Sequence, residues 1–483
     1  MTKSVFEPVI GLEVHAELLT QSKMFCGCAV VDSTIAEPNT SVCEICTGMP
    51  GTLPVINERA IEFALRVALA LQCTISETSV FARKNYFYPD LPKGYQISQF
   101  EHPLAHDGWL AIETEAGEKR IRIRRVHLEE DTGKLFHRQG HSLVDFNRSG
   151  VPLLEIVSEP DLSSIEEAKI YTTALRSILR YLQVTSGDME KGVIRFEANV
   201  SVRQVGSTAL GTRTEIKNLN SFRAMTHALA YEIERQSTIL KDGGEISQET
   251  LGWDEASSST VSQRSKEEAH DYRYFPEPDL PPLHVEPTWV AQIQSELPEL
   301  PLEKSRRFVA EYGLTAYTAG VLTAERPIGD YFEAAAKSAP KAPPVKIANW
   351  LSGDLFGLLN QAGIEFQDNA LPPVDLARLV ELVETGEVNA TSAKTVLAEM
   401  VSSGKPPGDI VRTLGLSMIQ DPEVIENIVR RVLEENPQQA ADYLDGKTGV
   451  FQWLFGQVMK EAEGRANPSA VRSALNAALA ARE

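Results

Sequence analysis

The proline-rich stretch at residues 275–287, FPEPDLPPLHVEP, limits the possible folds more than any other segment. Five prolines in thirteen residues can continue neither a helix nor a central strand, because proline lacks the N–H group that both require. A chain of 483 residues is also too long for a single hydrophobic core. We therefore predict a first domain at residues 1–290. A second break, SSGKPPGD at 402–409, divides the remainder into domains at 291–408 and 409–483.

The two sides of the proline-rich stretch differ in their hydrophobic pattern. Before it, runs such as VIGLEVHAEL and GVIRFEANVSVR alternate between apolar and polar residues, which is typical of strands. Helical patterns separate these runs at 57–72, 163–182 and 221–240, and the serine-rich residues 252–271 are predicted to form a loop. After residue 290 the pattern is almost wholly helical. The predicted fold is an α+β domain with a mixed or antiparallel sheet, followed by two all-α domains.

The charge and the apolar pattern restrict the partners. The formal net charge is −20, so nucleic acid is repelled on average and any RNA contact requires a local basic patch. The obvious patch consists of Lys119, Arg120, Arg122, Arg124 and Arg125. No apolar run approaches the length that spans a bilayer, and the N-terminus resembles neither a signal nor a transit peptide. We therefore expect a cytoplasmic protein without a membrane partner.

The strand-like segment VIGLEVHAEL carries acidic residues on both sides of a histidine. Because strand side chains alternate, Glu13, His15 and Glu17 share one face of this segment. A solvated sheet surface would explain them equally well. Two further strand-like segments add carboxylates, however: RVHLEEDTGK, with His127, Glu129, Glu130 and Asp131, and VPLLEIVSEPD, with Glu155.

Glu155 lies in an otherwise apolar run, where a charge is costly to bury unless it is paired or bound to a metal. With Glu13, His15 and one or both of Glu129 and Glu130, it would form an oxygen-rich site with one nitrogen. Such a site suits Mg²⁺ or Mn²⁺ better than zinc. The alternative for the three consecutive acids at 129–131 is a salt-bridged surface turn.

Basic and aromatic residues are mixed in FARKNYFYPDLPKGYQISQ at 81–99. Arg83, Lys84 and Lys93 could hold phosphates, and Tyr86, Tyr88 or Tyr95 could stack on a base. They could equally be long side chains at the edge of a cleft. The sequence contains neither a Walker A motif nor a G-x-G-x-x-G loop, so any use of ATP would follow another design.

Four of the five cysteines fall in the pattern C-G-C-x14-C-E-I-C, at Cys26, Cys28, Cys43 and Cys46. This spacing predicts a tetrahedral structural zinc site, with disulfides as the weaker alternative in a cytosolic chain. A closed four-cysteine site has no open position and would take no part in catalysis. Cys73 is predicted to be a buried core residue.

Two later motifs have less specific interpretations. EIKNLNSF places Lys217, Asn218 and Asn220 before a helix N-terminus, where anions can bind, although a capped loop is the alternative. HDYRYFPEPDLPPL concentrates aromatic residues and Asp271 before the prolines, and could form an aromatic latch that closes the domain.

The order of these segments resembles the B subunits of the glutamyl/aspartyl-tRNA amidotransferases (GatB). The resemblance extends from residue 10 to residue 471 and rests on IGLEVHAEL, RKNYFYPDLPKGYQISQ, HLEEDTGK, DFNRSGVPLLEIVSEPD, KNLNSF, DYRYFPEPDLPPL, NWL and GQVMKEAEGRANPSAV. It implies a cradle domain that uses ATP and Mg²⁺, then a helical domain and a small helical tail that contacts tRNA. Structural zinc is implied for some members only.

The resemblance also assigns the candidate residues. The metal and catalytic candidates are Glu13, His15, Glu129, Glu130 and Glu155. The nucleotide and substrate candidates are Arg83, Lys84, Tyr86, Tyr88, Lys93, Tyr95, Gln96 and Ser98.

The implied reaction is ATP-dependent phosphorylation of the side-chain carboxylate of Glu-tRNA(Gln) or Asp-tRNA(Asn), followed by amidation. Ammonia would come from the amidase (A) subunit, with a small C subunit joining the two, because this sequence has no glutaminase set of its own. The related archaeal E subunit carries an inserted domain for which 483 residues leave no room. The alternatives from other classes are a zinc-bearing tRNA-binding scaffold without catalysis and a metal-dependent hydrolase that needs no ATP.

Overall fold

The computed structural model describes residues 5–265 and 272–482, and the chain divides into two compact units between Leu300 and Pro301. The first unit contains the strands. The large sheet has nine strands in the order β14-β13-β12-β11-β1-β10-β7-β6-β2, and β12–β13 is its one parallel pair among the described residues. The strands are β1 (Phe6–Glu17), β2 (Thr74–Ile75), β3 (Thr78–Ser79), β4 (Phe81–Asn85), β5 (Tyr95–Gln99), β6 (Ala105–Thr114), β7 (Gly117–Glu130), β8 (Lys134–Arg138), β9 (His141–Asp145), β10 (Pro152–Ser158), β11 (Ile194–Gln204), β12 (Thr214–Leu219), β13 (Glu249–Asp254), β14 (Ser259–Ser265), β15 (Phe275–Pro276) and β16 (Leu283–His284).

Three helices cover one face of this sheet and confirm the helical patterns of the sequence. They are α1 (Glu58–Ala70), α2 (Ile165–Tyr181) and α3 (Phe222–Lys241), and α4 (Pro287–Glu296) packs on α1. Each of the three begins where a polar side chain caps the first turn: Asn57 for α1, Ser164 for α2 and Ser221 for α3. The large sheet, antiparallel except for the β12–β13 pair, confirms the predicted mixed or antiparallel sheet.

The alternation along β1 separates an apolar face from a polar one. Leu12, Val14 and Ala16 are at most 1% exposed and lie in the core beneath α1 and α2. Glu13 and His15 point to the opposite face, which no helix of the described part of this unit fills with apolar side chains. The polar face of the central strands is therefore available for chemistry.

The predicted loop at 252–271 is wrong for residues 252–265. These residues form most of the β13–β14 hairpin, and β13 extends the sheet by pairing in parallel with β12. Leu251 is 3% exposed, whereas Val261, Ser262 and Gln263 of β14 are exposed to solvent. The serine-rich composition reflects an exposed edge, which local sequence does not distinguish from a loop. Residues 266–271, including Asp271, lie outside the described part of the chain.

The proline-rich stretch folds back along the first unit. Its strand β15 pairs with β4, in a three-stranded sheet that also contains β5, and β16 pairs with β3. Both are short edge strands, the positions in a sheet that tolerate proline. A separate two-stranded hairpin consists of β8 and β9.

The second unit is helical and has two hydrophobic clusters, one from Phe308 to Val411 and one from Ile425 to Leu479. The predicted domain limits near 290 and 408 fall inside α4 and α12 and stay predictions. No helix in the described part of the chain has the length and apolarity needed to cross a membrane. The helices of this unit are α5 (Pro301–Tyr312), α6 (Ala316–Leu322), α7 (Arg326–Ser338), α8 (Pro344–Asn349), α9 (Phe356–Ala362), α10 (Pro373–Glu384), α11 (Ala390–Ser403), α12 (Pro407–Leu414), α13 (Pro422–Glu435), α14 (Pro437–Leu444), α15 (Val450–Glu461) and α16 (Pro468–Ala480).

Candidate functional site

Three central strands bring a histidine–carboxylate cluster together on the polar face of the sheet. In the strand register, His15 of β1 lies opposite Glu155 of β10, and Glu155 lies opposite His127 of β7. The Nε2 atom of His15 is 3.5 Å from the Glu155 carboxylate and 3.8 Å from that of Glu129, and His127 Nε2 is 3.2 Å from Glu155. One ligand atom from each of His15, Glu129 and Glu155 lies within 4.8 Å of the other two.

The carboxylates of this cluster are buried, and the histidines compensate their charge. Glu129 is 3% exposed and Glu155 is 6% exposed. Burial alone would raise the pKa of Glu155, but His127 and His15 hold it well below its usual value. Burial alone would lower the pKa of His15, but its hydrogen bond with Glu155 and the nearby carboxylates raise it to about 9. The cluster without a metal therefore contains an imidazolium between two carboxylates.

The donor atoms of this cluster fit a hard divalent cation. Two carboxylates and one imidazole nitrogen suit Mg²⁺ or Mn²⁺, and a cation at their centre would replace the positive charge that the His15 proton supplies. The Nδ1 atoms of His15 and His127 are buried and have no hydrogen-bond partner among the described residues. Buried polar atoms without partners are uncommon, but these are not the Nε2 atoms that face the carboxylates, so the metal assignment rests on the converging donor atoms. His15, Glu129 and Glu155 are therefore the residues best placed to hold a metal.

Glu13 lies beside this cluster and is not among its converging ligands. Its carboxylate accepts a hydrogen bond of 2.8 Å from Asn199 Nδ2, and it lies opposite Glu197 of β11. Burial raises the pKa of Glu13, and the negative charges of Glu155 and Glu197 raise it further. Glu13 is thus a neighbouring carboxyl that readily keeps a proton.

Glu130 occupies the other face of β7 because it follows Glu129 directly. Its carboxylate contacts Lys93 Nζ and accepts a hydrogen bond of 2.9 Å from the amide of Ile97. Its carbonyl oxygen accepts a hydrogen bond of 2.8 Å from Gln96 Nε2. Lys93, Gln96 and Glu130 therefore fasten residues 81–99 to the large sheet, and the structure does not bring them to the metal ligands.

Ser98, by contrast, contacts the cluster, and Lys84 lies near enough for the charges of Glu129 and Glu155 to act on it. Ser98 Oγ donates a hydrogen bond of 3.2 Å to the Glu129 carboxylate. The Lys84 ammonium lies 4.8 Å from the centre of the Tyr272 ring. Burial alone would lower the pKa of Lys84, but Tyr274 and Glu129 raise it above its usual value. Lys84 is thus a charged ammonium beside the candidate metal ligands.

Arg83 points to the opposite side of β4 and is fully engaged there. Its guanidinium forms two hydrogen bonds of 2.7 Å with Glu277, whose side chain is completely buried, and it packs 4.2 Å from the centre of the Tyr95 ring. Tyr86 and Tyr88 stack on each other with ring centres 5.7 Å apart. The Arg83–Glu277 pair joins residues 81–99 to the proline-rich stretch. The nucleotide-binding role of Arg83, Tyr86, Tyr88 and Tyr95 stays a prediction.

Sequence reasoning missed the contribution of β11. Arg195, Glu197 and Asn199 point to the same polar face as His15, and Arg195 Nη2 lies 2.8 Å from Asp131. The alternation within IRFEANVSVR could have identified them. The Lys217 ammonium lies 2.9 Å from the Glu197 carboxylate, so its charge is balanced within the protein and is not free to bind an anion. The side chain of Asn218 lies outside the described part.

The four clustered cysteines converge as their spacing predicts. The sulfur atoms of Cys26, Cys28, Cys43 and Cys46 lie within 4.8 Å of one another, and none of them forms a disulfide. The thiol of Cys26 is the largest influence that lowers the pKa of Cys46, to about 4, and the Cys43 amide and Lys23 lower it further. Four sulfurs at this separation, one of them readily ionised, fit a tetrahedral zinc ion.

The basic patch of β7 is neutralised in the folded chain. Arg122 makes a two-pronged ion pair with Asp161 at 2.7–2.9 Å, and Arg124 makes one with Glu159 at 2.9 Å. Lys119 lies 2.8 Å from Glu167. Carboxylates that follow β10 in sequence are thus brought beside this patch and balance the charges of Lys119, Arg122 and Arg124.

Comparisons with known proteins identify the family of this chain. Residues 8–291 match the family model described as the GatB/GatE catalytic domain, and residues 330–479 match the model described as the GatB domain. The chain is 51% identical over 467 residues to the B subunit of the aspartyl/glutamyl-tRNA(Asn/Gln) amidotransferase of Thermodesulfovibrio yellowstonii, covering 96% of this chain and 98% of that one. It is 52% identical to the proteins of the same name from a Roseiflexus species and from Myxococcus xanthus, covering 98% of this chain in both and 98% and 99% of those proteins.

Proposed function

Since the chain belongs to the GatB/GatE family, we propose that it phosphorylates the side-chain carboxylate of Glu-tRNA(Gln), of Asp-tRNA(Asn), or of both, and then allows ammonia to amidate it. The observation that carries the proposal is the convergence of His15, Glu129 and Glu155 next to the ammonium of Lys84. The relatives named above are components of amidotransferases, and this cluster is the part of the chain best equipped for phosphoryl transfer.

The first step activates the carboxylate. A side-chain carboxylate does not react with ammonia at neutral pH, because it is an anion without a leaving group. In the proposed step, a carboxylate oxygen of the aminoacyl group attacks the γ-phosphorus of ATP. A new O–P bond forms, the bond to the β-phosphate oxygen breaks, and ADP leaves. The product is an acyl phosphate, and ammonia then displaces phosphate from it to give the amide.

The protein contributes positions and charges to this step. His15, Glu129 and Glu155 would hold a divalent cation, which supplies charge neutralisation for the phosphates when bound. The Lys84 ammonium is placed to balance negative charge on the transferred group. Ser98 keeps the Glu129 carboxylate in position through its hydrogen bond. Glu13, on the same face, has a raised pKa because it is buried near Glu155 and Glu197, and would hold a proton there.

The chain requires partners for the complete reaction. Four cysteines are gathered in the candidate zinc site and Cys73 is buried in the core, so we propose that an amidase subunit generates the ammonia and that a small third subunit joins the two. We propose the helical regions after residue 290 as the part that contacts tRNA, and the cytoplasm as the compartment.

The test uses the assembled amidotransferase with γ-labelled ATP, Mg²⁺ and Glu-tRNA(Gln), without glutamine or ammonia. We expect ADP formation and, with hydroxylamine, a hydroxamate on the side-chain carboxyl that forms only when ATP is present, and neither product with uncharged tRNA. Absence of phosphoryl transfer with both Glu-tRNA(Gln) and Asp-tRNA(Asn) would favour a tRNA-binding scaffold. Turnover without ATP would indicate a hydrolase.

A further inference from the structure

The hairpin formed by β8 and β9, residues 134–145, stands apart from the large sheet. It follows the acidic cluster in sequence: Lys134 comes five residues after Glu129, so at most about 18 Å of extended chain separates them. Its central residues 136–143 are all exposed. A solvent-exposed projection rooted next to a candidate active site is well placed to contact a large substrate.

Strand pairing places basic and apolar side chains together on one face of this hairpin. In the register, Phe136 lies opposite Leu143 and Arg138 lies opposite His141, and alternation places Lys134 on the same face. Phe136 is 37% exposed and Leu143 is 52% exposed. The face therefore combines Lys134, Arg138 and His141 with an exposed aromatic–aliphatic pair and the buried Asp145. The Lys134 ammonium lies 5.5 Å from the centre of the Phe136 ring.

The positive charge of this face is available to a partner. Residues 132–144 contain no acidic residue although the whole chain has a net charge of −20. Neither Lys134 nor Arg138 forms an ion pair with any residue that the structure describes, in contrast to the neutralised Arg122 and Arg124. Asp145, which lies opposite Lys134, accepts hydrogen bonds from the amides of Asn39 and Asn147 instead.

The base of the hairpin is held firmly while its end is exposed. Asn39, in the cysteine segment, bonds to the carbonyl of Val144 at 3.0 Å and accepts from the amide of Phe146 at 2.8 Å. Arg148 donates to the carbonyls of Thr132 and Gly133 at 3.0 Å each. The cysteine segment thus supports the base of the hairpin.

We propose that this face of the β8–β9 hairpin grips the sugar–phosphate backbone at the aminoacylated end of the RNA. The inference rests on the proposed function, because an aminoacyl group at the acidic cluster places the terminal nucleotides of its RNA within reach of the hairpin. Lys134 and Arg138 pair with phosphates, and Phe136 offers a ring on which an unpaired base stacks.

The test compares the assembled enzyme with its Lys134→Gln/Arg138→Gln variant at several salt concentrations. We expect the KM for mischarged tRNA to rise roughly tenfold and the salt dependence of RNA binding to become less steep by about two in the log–log slope. The KM for ATP is expected to stay the same. The conservative Lys134→Arg/Arg138→Lys variant should restore both values, because it keeps the charges.

The matched control is Arg122→Gln/Arg124→Gln, which removes two exposed arginines that are already neutralised and should leave the KM for tRNA unchanged. An equal loss in this control, or an unchanged KM and slope in the hairpin variant, would overturn the proposal. So would loss of complex assembly with RNA affinity intact, since the face would then bind protein. If the double variant does not fold, Arg138→Gln alone is measured, and we expect half the change in slope.

The two proposals can fail separately. If the wild-type enzyme transfers no phosphoryl group, the proposed function is wrong, but RNA binding measured by gel shift still tests the role of the hairpin.

Discussion

His15 and Glu155 face each other across neighbouring antiparallel strands, with the imidazole Nε2 3.5 Å from the carboxylate. The pair joins β1 and β10, two of the three strands that contribute metal-ligand candidates at the centre of the sheet. Glu155→Gln keeps the size of the side chain and removes a negative oxygen ligand. We expect phosphoryl transfer to fall by at least about 100-fold. ADP release that depends on mischarged tRNA measures it.

The control for this variant is Glu7→Gln on the same strand as His15, where Glu7 pairs with Arg203 at 2.7 Å away from the cluster. It should retain full activity. Wild-type rates in Glu155→Gln would remove Glu155 from the catalytic centre.

Substitutions of Arg83 and Lys84 are expected to have different effects, on stability and on catalysis respectively, because adjacent strand residues face opposite sides of the strand. Arg83→Met leaves the carboxylate of Glu277 buried without its partner, which costs about 3–5 kcal/mol of unfolding free energy. Lys84→Met should instead lower kcat of phosphoryl transfer by roughly 100-fold with a smaller change in stability. Urea unfolding and ADP formation, measured on both variants, separate the two effects. A stable Arg83→Met variant with a raised KM for ATP would instead support the predicted role of Arg83 in nucleotide binding.

Removal of the metal from the cysteine site should loosen one segment of the first unit. We expect Cys43→Ser to lose one equivalent of zinc and to show faster hydrogen exchange in residues 20–57 and in the hairpin that Asn39 supports. Cys73→Ala is the control, since Cys73 is buried in the hydrophobic core and should keep the zinc content. Equal zinc content in Cys43→Ser and wild type would argue against a four-cysteine site.

Lys23 is expected to stabilise the metal-bound cysteines. Its side chain is fully buried, and its ammonium lies 3.6 Å from the Cys46 sulfur and 2.8 Å from the carbonyl of Ser41. Lys23→Met removes this positive charge beside a thiolate, so we expect zinc affinity to fall by roughly 10–100-fold. Competition with a coloured chelator measures the affinity. Lys191→Met, which removes only the exposed pair with Asp32, should show no change.

Acid should weaken the second unit through Glu333. Hydrogen bonds from Arg307 are the largest cause that lowers its pKa, to about 2, and Lys337 contributes as well. A folded-state pKa below the unfolded value contributes stability above about pH 4.5, and this contribution is lost as the pH falls towards 2. We expect Glu333→Gln to lower the unfolding free energy of the full chain by about 1 kcal/mol at pH 7, because the group lies near solvent. At pH 3 the difference from wild type should shrink. A difference that is independent of pH would show that the ion pairs contribute nothing, and Glu311→Gln is the exposed control.

Part of the candidate site was predictable because it depends on local periodicity. The alternation in VIGLEVHAEL correctly places Glu13 and His15 on the face opposite Leu12 and Val14. The same reasoning separates Glu129 from Glu130, although the sequence alone does not say which of the two faces the cluster. The cysteine spacing likewise predicts a convergence that the structure contains.

Only the tertiary structure decided which distant parts of the chain each strand and loop contacts. The register places Glu155 between His15 and His127, turns Arg83 towards Glu277, and sets Asp161 against Arg122. It also leaves Lys134 and Arg138 without an ion pair among the described residues. The sequence by itself determined which side chains share a face, because side chains alternate along any strand whatever lies beside it. Whether a charge on that face binds a metal, neutralises a neighbour or awaits a substrate depends on long-range pairing, which no local pattern contains.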